Sequence, residues 1–434
     1  MGERQSGWGG RPVYVVDGSR TPFLKARGKP GPFAAADLAV AAGRPLLARQ
    51  PFDAGDLDEV ILGCMMPSPD EANIGRVAAL RLGCGDRVPA WTVQRNCASG
   101  MQSIDSAAQN IAAGRASLVL AGGVEAMSRS PILYNDTMVN WLSALAAART
   151  PGAKLKTLAA LRPRHFKPVI ALLHGLTDPV VGLSMGQTAE ILAHRFNITR
   201  EMMDEFALRS HQRLDAAQQG GHLDEIEVLY DNRGKVYEHD DGVRPDSTME
   251  KLAKLRPVFD RRIGNVTAGN SAQITDGAAW VLLASEDMLE KHSLTPMGQL
   301  IDSQWAGLDP AQMGLGPGYA MAPIMQRHGL DSADIDYYEI NEAFAAQVLA
   351  CLAAWQDTGF CRDELGRDTP FSPIDEARLN VDGGAVAVGH PVGTSGARIV
   401  LHMLKVLKRE NAKRGMTSIC IGGGQGGAML IERT

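Results

Sequence analysis

The sequence predicts an α/β protein made of two similar halves with a segment of different character between them. Short β-rich runs alternate with amphipathic helical patterns through most of the chain, which favours an α/β architecture. The later part of the chain repeats the alternation of the earlier part. A length of 434 residues also exceeds the usual size of one domain, so two or three domains are expected.

The strands and helices can be placed from hydrophobic periodicity. In the first half, strands are predicted at residues 13–16, 59–62, 91–94 and 117–121, and helices at 34–48 and 99–113. In the second half, strands are predicted at 297–302, 337–340 and 418–421, and helices at 342–355 and 394–408. No literal sequence repeat relates the two halves, so their similarity is one of pattern.

Composition excludes several classes of protein. Hydrophobic residues make up 45% and charged residues 21% of the chain, which is typical of a globular protein and excludes a disordered one. The net charge of −5 gives no general electrostatic case for nucleic acid binding. The six cysteines include no Cys-x-x-Cys pair, so neither a zinc site nor a redox site is indicated, and a reducing cytoplasm is expected. Residues 1–6 match a myristoylation pattern, although so short a match is mostly chance.

The segment at residues 137–177 contains no Asp or Glu. It carries six fixed positive charges among many apolar residues, namely Arg149, Lys154, Lys156, Arg162, Arg164 and Lys167. One interpretation is a set of basic amphipathic helices that lie on an anionic membrane or against a partner helix. The other is a lid packed on its own domain with a solvated basic rim. Both interpretations stay open at this stage.

Cys97 is a candidate nucleophile because it lies between a predicted strand and a predicted helix. A thiol at a helix N-terminus faces unpaired N–H groups and the positive end of the helix dipole, which favours the nucleophilic thiolate. The alternative is an inert cysteine that fills space as a small hydrophobic residue.

Three further positions combine reactive side chains with unusual backbone. His390 follows an apolar run at 385–388, predicted as a strand, and lies between Gly389 and Pro391, which suits a general base on a rigid loop or a buried structural histidine. Cys420 ends a strand at a glycine-rich run whose N–H groups can point at a ligand oxygen. Asn341 lies between a strand and a helix, where it is either a helix cap or a functional amide.

These pieces, taken together and in order, resemble the thiolases over nearly the whole chain. The motifs are NCASG at 96–100, GGVEAMS at 122–128, NEAF at 341–344, GHP at 389–391 and CIGGG at 420–424. The resemblance implies two tandem α/β halves in a five-layered αβαβα arrangement with an inserted loop domain. The expected boundaries are 1–129 with 266–288 for the N-terminal half, 130–265 for the loop domain that covers CoA, and 289–434 for the C-terminal half.

The resemblance also implies roles for individual residues. Cys97 would attack the keto carbon of a 3-ketoacyl-CoA, with His390 as general base and Cys420 as general acid and base. One oxyanion site would use His390 and a water held by Asn341, and the other would use the backbone N–H groups of Cys97 and Gly422. CoA thioester contacts are implied for Met185, Arg244, Ala268, Ser271, Ala272 and Phe344. No metal and no resident cofactor are implied, since CoA enters as a substrate.

The chain departs from common thiolase patterns at two positions near these contacts. Many thiolases have a histidine just before Met185, where this chain has Ser184, and many have a serine where this chain has Ala272. The related ketoacyl synthases use one cysteine and two histidines, so Asn341 and Cys420 favour a thiolase.

Within the thiolases, the sequence looks most like the β subunits of fatty-acid β-oxidation complexes. The features are the acid-free segment with LRP at 161–163, ALRSH at 207–211, GVRP at 242–245, LAKLRP at 252–257 and LGPGYA at 315–320. This implies a 3-ketoacyl-CoA thiolase that is a homodimer or tetramer, with a possible hydratase/dehydrogenase α subunit. It also implies a cytoplasmic protein whose residues 137–177 touch the inner membrane surface. An acetyl-CoA C-acetyltransferase working in condensation is the alternative, and a non-catalytic acyl-CoA-binding scaffold is a third.

Overall fold

A computed structural model describes residues 7–434 of the chain, so the pattern at residues 1–6 lies outside the described residues. The predicted α/β architecture is confirmed. The N-terminal elements are β1 (Val13–Arg20), β2 (Leu24–Lys25), α1 (Ala35–Ala48), β3 (Glu59–Gly63), α2 (Ile74–Arg81), β4 (Ala90–Val93), α3 (Ser99–Ala112) and β5 (Leu118–Ala126).

A middle segment follows with its own small elements. They are β6 (Ile132–Tyr134), α4 (Asp136–Ala147), α5 (Pro151–Ala159), β7 (Pro168–Ile170), α6 (Ala171–Gly175), α7 (Met185–Arg195), α8 (Arg200–Gln219), β8 (Leu229–Tyr230), β9 (Val236–Tyr237) and α9 (Met249–Ala253).

The chain then returns to the main sheet and builds the second half. The elements are β10 (Thr275–Ala284), α10 (Glu286–His292), β11 (Gly298–Gly307), α11 (Gly316–His328), β12 (Tyr337–Ile340), α12 (Ala345–Gln356), α13 (Thr358–Leu365), α14 (Ala385–Val388), α15 (Val392–Arg409), β13 (Arg414–Ile421) and β14 (Gln425–Glu432). The domain boundaries expected at 129, 265 and 288 stay a prediction.

The two halves pair their strands in the same order. In the N-terminal half β1 is antiparallel to β10, β10 is antiparallel to β5, and β5 is parallel to β3. In the C-terminal half β11 is antiparallel to β14, β14 is antiparallel to β13, and β13 is parallel to β12. The two sheets are continuous because the start of β1 also pairs with β11. The repetition expected from the sequence pattern is therefore a repetition of topology.

Buried apolar side chains divide into layers around the two sheets. One cluster joins inner faces of both sheets to α3 and α15, so these two helices form the central layer. A second cluster packs α1 and α2 on the outer face of the N-terminal strands. A third packs α11 and α12 on the outer face of the C-terminal strands. Burial of this much apolar side chain on both faces of each sheet is the main source of stability.

The central helices α3 and α15 cross with their backbones in close contact. A Cβ added to Gly100 would lie 2.9 Å from the backbone nitrogen of Ala397, and one added to Gly396 would lie 2.6 Å from that of Met101. Glycine at both positions therefore permits an approach that larger residues prevent. Because Cys97 and His390 each lie just before one of these helices, the crossing sets their relative position.

Most predicted elements are present and several are longer than predicted. The strand predicted at 117–121 runs to Ala126, and the one predicted at 297–302 runs to Gly307. One prediction is wrong: the apolar run at 385–388 is a single helical turn, α14, and not a strand. Its Val386 and Ala387 carbonyls accept hydrogen bonds from the Gln273 side chain instead of from a neighbouring strand. A run of four apolar residues looks the same in either conformation, so periodicity could not separate them.

The acid-free segment is helical over much of its length, and many of its apolar side chains are exposed. Helices α4 and α5 contact each other, and the Trp141 indole donates to the carbonyl of Thr157 at 2.8 Å. The exposed apolar side chains of residues 137–177 include Val139, Leu142, Leu155, Leu158, Phe166, Ile170 and Leu173. Across residues 7–434, no helix combines the length and apolar character needed to cross a bilayer.

Candidate active site

Cys97 lies in the turn between β4 and α3. Asn96 before it adopts a left-handed conformation with φ of 43°, and its side-chain amide donates to the carbonyl oxygen of Gly422 at 2.8 Å. That hydrogen bond ties the turn in the N-terminal half to the glycine-rich loop of the C-terminal half. The cysteine is partly buried at this junction.

Two opposing effects act on the Cys97 thiol. Burial raises its pKa to about 11, although the backbone N–H groups of Gly422 and of Cys97 itself favour the anion and lower it. The N–H groups favour the thiolate in the direction expected from the sequence, but desolvation outweighs them in the resting protein. A base must remove the proton before Cys97 can act as a nucleophile.

Cys420 lies close to Cys97 from the opposite half. It occupies the end of β13, is 1% exposed, and is followed by the turn that contains Gly422. Burial raises the pKa of the Cys420 thiol well above its ordinary value, and the neighbouring Cys97 raises it further. The two sulfur-bearing residues predicted from the sequence are thus brought together, and both are thiols at rest.

His390 is buried with one ring nitrogen engaged and the other free. Nδ1 lies 2.6 Å from the hydroxyl oxygen of Ser395, and that hydroxyl also lies 3.3 Å from the carbonyl oxygen of Pro391. If the hydroxyl donates to the carbonyl, Nδ1–H donates to the hydroxyl and Nε2 is left as an acceptor. Nε2 is buried and has no partner in the described residues. Burial, with help from Arg398, lowers the pKa of His390 to about 4, so the ring is neutral.

Asn341 presents a polar side chain that nothing else in the described residues satisfies. It is fully buried, and neither its amide oxygen nor its amide nitrogen has a partner. Its backbone N–H donates to the carbonyl oxygen of Ser418 on β13, so it is not free to swing outward with its loop. A buried amide in this state is the expected setting for a bound water or a ligand atom.

Several of the residues implied for CoA contacts are grouped around Phe259. Its ring meets Phe344 edge to face with centroids 5.8 Å apart, and a Cβ on Gly186, next to Met185, would collide with it. A Cβ on Gly422 would lie 3.2 Å from the sulfur of Met185, so this group adjoins the Cys97 turn. Ser271 forms a β-bridge with Phe344.

The other implied contact residues are distributed differently. Ala272 donates its N–H to the carbonyl of Ala343, so it lies beside Asn341. Ala268 is exposed. Arg244 lies next to His211, whose Nδ1 accepts from the Arg244 backbone N–H at 3.3 Å, and it also influences the pKa of Lys25.

No group of three or more His, Cys, Asp or Glu side chains within residues 7–434 has the arrangement of a metal site. The reactive groups at and around this junction are two thiols, one neutral imidazole, one amide and the N–H groups of Cys97 and Gly422.

The family of the chain follows from comparison with family models. The model of the thiolase N-terminal domain matches residues 13–287, and that of the thiolase C-terminal domain matches residues 294–433. The chain belongs to the thiolase family. The resemblance predicted from the motifs is confirmed, and so is the thiolase fold.

Individual thiolases match over almost the whole length. The chain is 37% identical over 424 residues to a 3-ketoacyl-CoA thiolase of Yersinia pestis, covering 97% of this chain and 96% of that protein. A crystal structure of human mitochondrial 3-ketoacyl-CoA thiolase in complex with CoA aligns with a TM-score of 0.84 at 35% identity, covering 100% of both chains. The crystal structure of an acetyl-CoA acetyltransferase from Bacillus anthracis aligns with a TM-score of 0.83, also at 35% identity over 100% of both chains.

Sequence analysis missed several residues of this thiolase site. Ser395 lies five positions after His390, close to the GHP motif, but only the fold shows that its hydroxyl meets Nδ1. Phe259 lies far from Phe344 in the chain and carries no motif signal. Glu125 and Glu342 were quoted within motifs without a role, and both are buried near the His390 loop. A sequence signal existed for Ser395, Glu125 and Glu342, whereas none existed for Phe259.

Proposed function

We propose that this thiolase is a 3-ketoacyl-CoA thiolase, an acyltransferase that uses CoA to cleave a 3-ketoacyl-CoA into acetyl-CoA and a shortened acyl-CoA. The observation that supports the proposal is the approach of the Cys97 and Cys420 thiols where the halves join, with His390 just before α15, which crosses α3, and with Asn341 bonded to β13. His390 and Asn341 both present unpaired polar atoms there. The named relatives described above support the same activity.

The first proposed step is activation of the nucleophile. Nε2 of neutral His390 accepts the proton of the Cys97 thiol, and the resulting thiolate attacks the keto carbon of the substrate. The pKa of His390, lowered to about 4, means that the ring is available as an acceptor at neutral pH. The raised pKa of Cys97 makes such an acceptor necessary.

The second proposed step is cleavage of the bond between Cα and Cβ. The departing acetyl-CoA enolate takes a proton from Cys420, which leaves a Cys420 thiolate and an acyl thioester on Cys97. The His390 imidazolium then returns its proton to Cys420, so both groups are reset. A thiol that stays protonated through burial suits this donor role.

Two sites of negative charge arise along this path. The tetrahedral oxyanion and the thioester oxygen each need hydrogen-bond donors. We assign one of these sites to the backbone N–H groups of Cys97 and Gly422, which both point towards the Cys97 sulfur. We assign the other site to His390 and to a water held by the unpaired amide of Asn341.

The last proposed step transfers the acyl group to CoA. His390 accepts the thiol proton of incoming CoA, the CoA thiolate attacks the thioester, and the Cys97 thiolate leaves and recovers the proton. Every proton is carried by residues of this chain, so the scheme uses no resident cofactor and CoA takes part as a substrate.

We propose that the pantetheine of CoA lies along the group formed by Met185, Phe259 and Phe344, with Ser271 and Ala272 beside it. Arg244 and Ala268 are proposed to contact the nucleotide end, since both are exposed. The segment at 130–265 would then cover the bound CoA, as the expected loop domain requires.

The activity is tested with three substrates. The protein is incubated with acetoacetyl-CoA, with a longer 3-ketoacyl-CoA and with CoA, and loss of the magnesium enolate absorbance is followed. Faster loss with the longer chain supports β-oxidation. Cys97→Ala is expected to fold normally and form no acyl-enzyme, and a covalent acyl label retained by that variant would place the nucleophile elsewhere.

An acetyl-CoA C-acetyltransferase is the second candidate, favoured by the match to the Bacillus anthracis structure. It would use the same residues in the condensing direction, and the same assay would show a preference for acetoacetyl-CoA over longer chains. A non-catalytic scaffold would be inactive with every substrate, and the intact set Cys97, His390 and Cys420 argues against it.

We further propose that the protein is a homodimer or a homotetramer. Strand β4 leads directly to Cys97, is at the end of the main sheet, and pairs with β3 alone among the described strands. Such an edge suits strand addition by a second copy. Sedimentation of the wild type as a monomer at micromolar concentration would contradict this.

We propose a cytoplasmic protein that touches the inner membrane surface through residues 137–177. The exposed apolar side chains there, together with six basic residues, support binding to anionic lipid. The double variant Leu155→Ser and Phe166→Ser should bind phosphatidylserine vesicles more weakly. Ile263→Ser is the matched control, since Ile263 is 85% exposed but lies outside this segment.

Equal vesicle binding by the double variant and the control would contradict the membrane proposal. In that outcome the apolar face is better explained by a hydratase/dehydrogenase α subunit, and a mixture of the two proteins should then elute as one complex.

A further inference from the structure

Two buried glutamates bind the chain on either side of His390. Glu342 comes from the C-terminal half and accepts a hydrogen bond from the backbone N–H of Val386, in the turn before the histidine. Glu125 comes from the end of β5 in the N-terminal half and accepts from the N–H of Gly393, in the first turn after it. The histidine loop is therefore held from both halves at once.

The surroundings of Glu125 consist of hydrogen-bond donors. The carboxylate accepts from the N–H groups of Met65 at 2.9 Å, Met66 at 3.1 Å and Gly393 at 3.1 Å. The Cys64 thiol lies 3.7 Å from the same carboxylate. Burial raises the pKa of Glu125 to about 7, although these N–H donors lower it, so both forms of the carboxyl are populated near neutral pH.

Glu342 has an equivalent set of donors. It accepts from the hydroxyl of Ser210 at 2.6 Å, from the side-chain amide of Asn380 at 2.8 Å and from the N–H of Val386 at 3.2 Å. Like Glu125 it is 1% exposed. In the part of the chain that the structure describes, neither glutamate forms an ion pair with a cation. Their partners are backbone and neutral side-chain donors, which need acceptors at fixed positions.

The space for both carboxylates depends on glycine. A Cβ on Gly393 would lie 2.7 Å from Oε2 of Glu125, and a Cβ on Gly384 would lie 2.3 Å from the carboxyl carbon of Glu342. Each carboxylate thus lies against backbone that carries no side chain. Two such contacts flank the same histidine.

We propose that Glu125 and Glu342 are positioning residues that hold the His390 loop between the two halves, so that the histidine stays in register with the Cys97 thiol. The inference rests on the proposed function, in which Cys97 is the nucleophile and His390 its base.

The test measures the reactivity of Cys97 separately from turnover. Alkylation by iodoacetamide is followed by mass spectrometry between pH 6 and 10 for the wild type, Glu125→Gln, Glu125→Asp and Glu342→Gln, with Cys97→Ala to identify the labelled residue. The kcat and KM for 3-ketoacyl-CoA cleavage are measured on the same samples. Thermal unfolding of each variant confirms that it is folded.

Glu125→Gln and Glu342→Gln should each lower kcat about ten-fold or more with little change in KM, because an amide cannot accept from all the donors and the loop shifts. Alkylation of Cys97 at pH 8 should slow as well, since His390 no longer accepts the thiol proton, and the difference from the wild type should shrink towards pH 10. Glu125→Asp keeps a carboxylate acceptor and should lower kcat less than Glu125→Gln does.

A kcat equal to that of the wild type in both Glu125→Gln and Glu342→Gln would overturn the proposal, and so would a loss of kcat with an unchanged alkylation profile. Glu342→Gln and Glu125→Asp test it even if the glutamine variant of Glu125 does not fold. Label that persists in Cys97→Ala would instead contradict the proposed function.

Discussion

His390 and His402 are both buried on or next to α15, yet they are in opposite states. The His390 ring is neutral, its pKa lowered to about 4 by burial and by Arg398. His402 lies between two carboxylates, with Nδ1 at 3.1 Å from Glu225 and Nε2 at 3.1 Å from Asp382. Although burial alone would lower its pKa, these carboxylates raise it to about 10.

The difference shows that partners, and not depth, decide the charge of a buried histidine. A carboxylate only accepts, so both nitrogens of His402 must carry hydrogen and the ring is an imidazolium. His390 meets one hydroxyl, which leaves Nε2 as a free acceptor. His402 thus holds a fixed positive charge between two segments of the fold, whereas the surroundings of His390 suit the proposed proton exchange.

The largest expected effect is on turnover, from removal of the neutral histidine. His390→Ala should lower kcat by about 10²–10⁴-fold, the usual contribution of a general base. Its thermal stability should change little in comparison, because the ring carries no buried charge. Steady-state assays of 3-ketoacyl-CoA cleavage measure this, and activity within a factor of a few of the wild type would contradict the assigned role.

A second prediction concerns the charged histidine and the stability of the fold. His402→Leu leaves the buried Glu225 and Asp382 without the cation between them, so the free energy of unfolding should fall by about 3–5 kcal/mol. Urea unfolding measures it. His292→Leu is the control, since that ring packs against Phe52 and has no carboxylate partner. Equal losses in the two variants would show that ring packing, and not charge, stabilises the site.

The pH dependence of stability should have opposite signs at the two sites. The pKa of His390 is lowered in the folded state, so the unfolded chain binds more protons and stability is lost as pH falls from about 6.5 towards 4, by about 3 kcal/mol. The pKa of His402 is raised, so its stabilising effect is complete below about pH 6.5 and is lost as pH rises towards 10.

The free energy of unfolding of each variant and of the wild type is measured in urea across pH 4–10, and the two are compared at each pH. His390→Ala should reduce the acid loss, and His402→Leu should reduce the alkaline loss. A reversed pattern would contradict the assigned charges.

The smallest expected effect is from the hydroxyl that sets the tautomer of His390. Ser395→Ala removes the partner of Nδ1, and kcat should fall about ten-fold, which corresponds to the loss of one hydrogen bond of about 1.4 kcal/mol. The free energy of unfolding should change by less than in His402→Leu. An unchanged pH profile of kcat/KM together with an unchanged kcat would contradict the role of Ser395.

The candidate reactive groups could be predicted from the sequence because each lies in a short motif with distinctive neighbours. Cys97, His390, Asn341 and Cys420 were all identified this way, and the alternation of elements predicted the α/β fold. The protonation state of Cys97 could not be predicted from the sequence. Its position before a helix favours a thiolate, whereas burial raises its pKa to about 11. Burial depends on residues from both halves, so no local pattern reports it.

Residues that act through contacts between distant parts of the chain could not be predicted from the sequence either. His402 meets Glu225 from the middle segment and Asp382 from the C-terminal half, and no spacing links the three. The turn at 385–388 was assigned the wrong conformation for a similar reason, because its backbone partners are the distant side chains of Gln273 and Glu342.

The matching strand order of the two halves has a consequence for how the chemistry is shared. Cys97 precedes α3 and His390 precedes α15, and these helices occupy equivalent places in the two halves. A rotation that exchanged the halves would carry the attacking sulfur onto the place of the proton acceptor. Each half alone therefore lacks one of the two groups, and the proposed reaction requires the pseudo-symmetric interface between the halves.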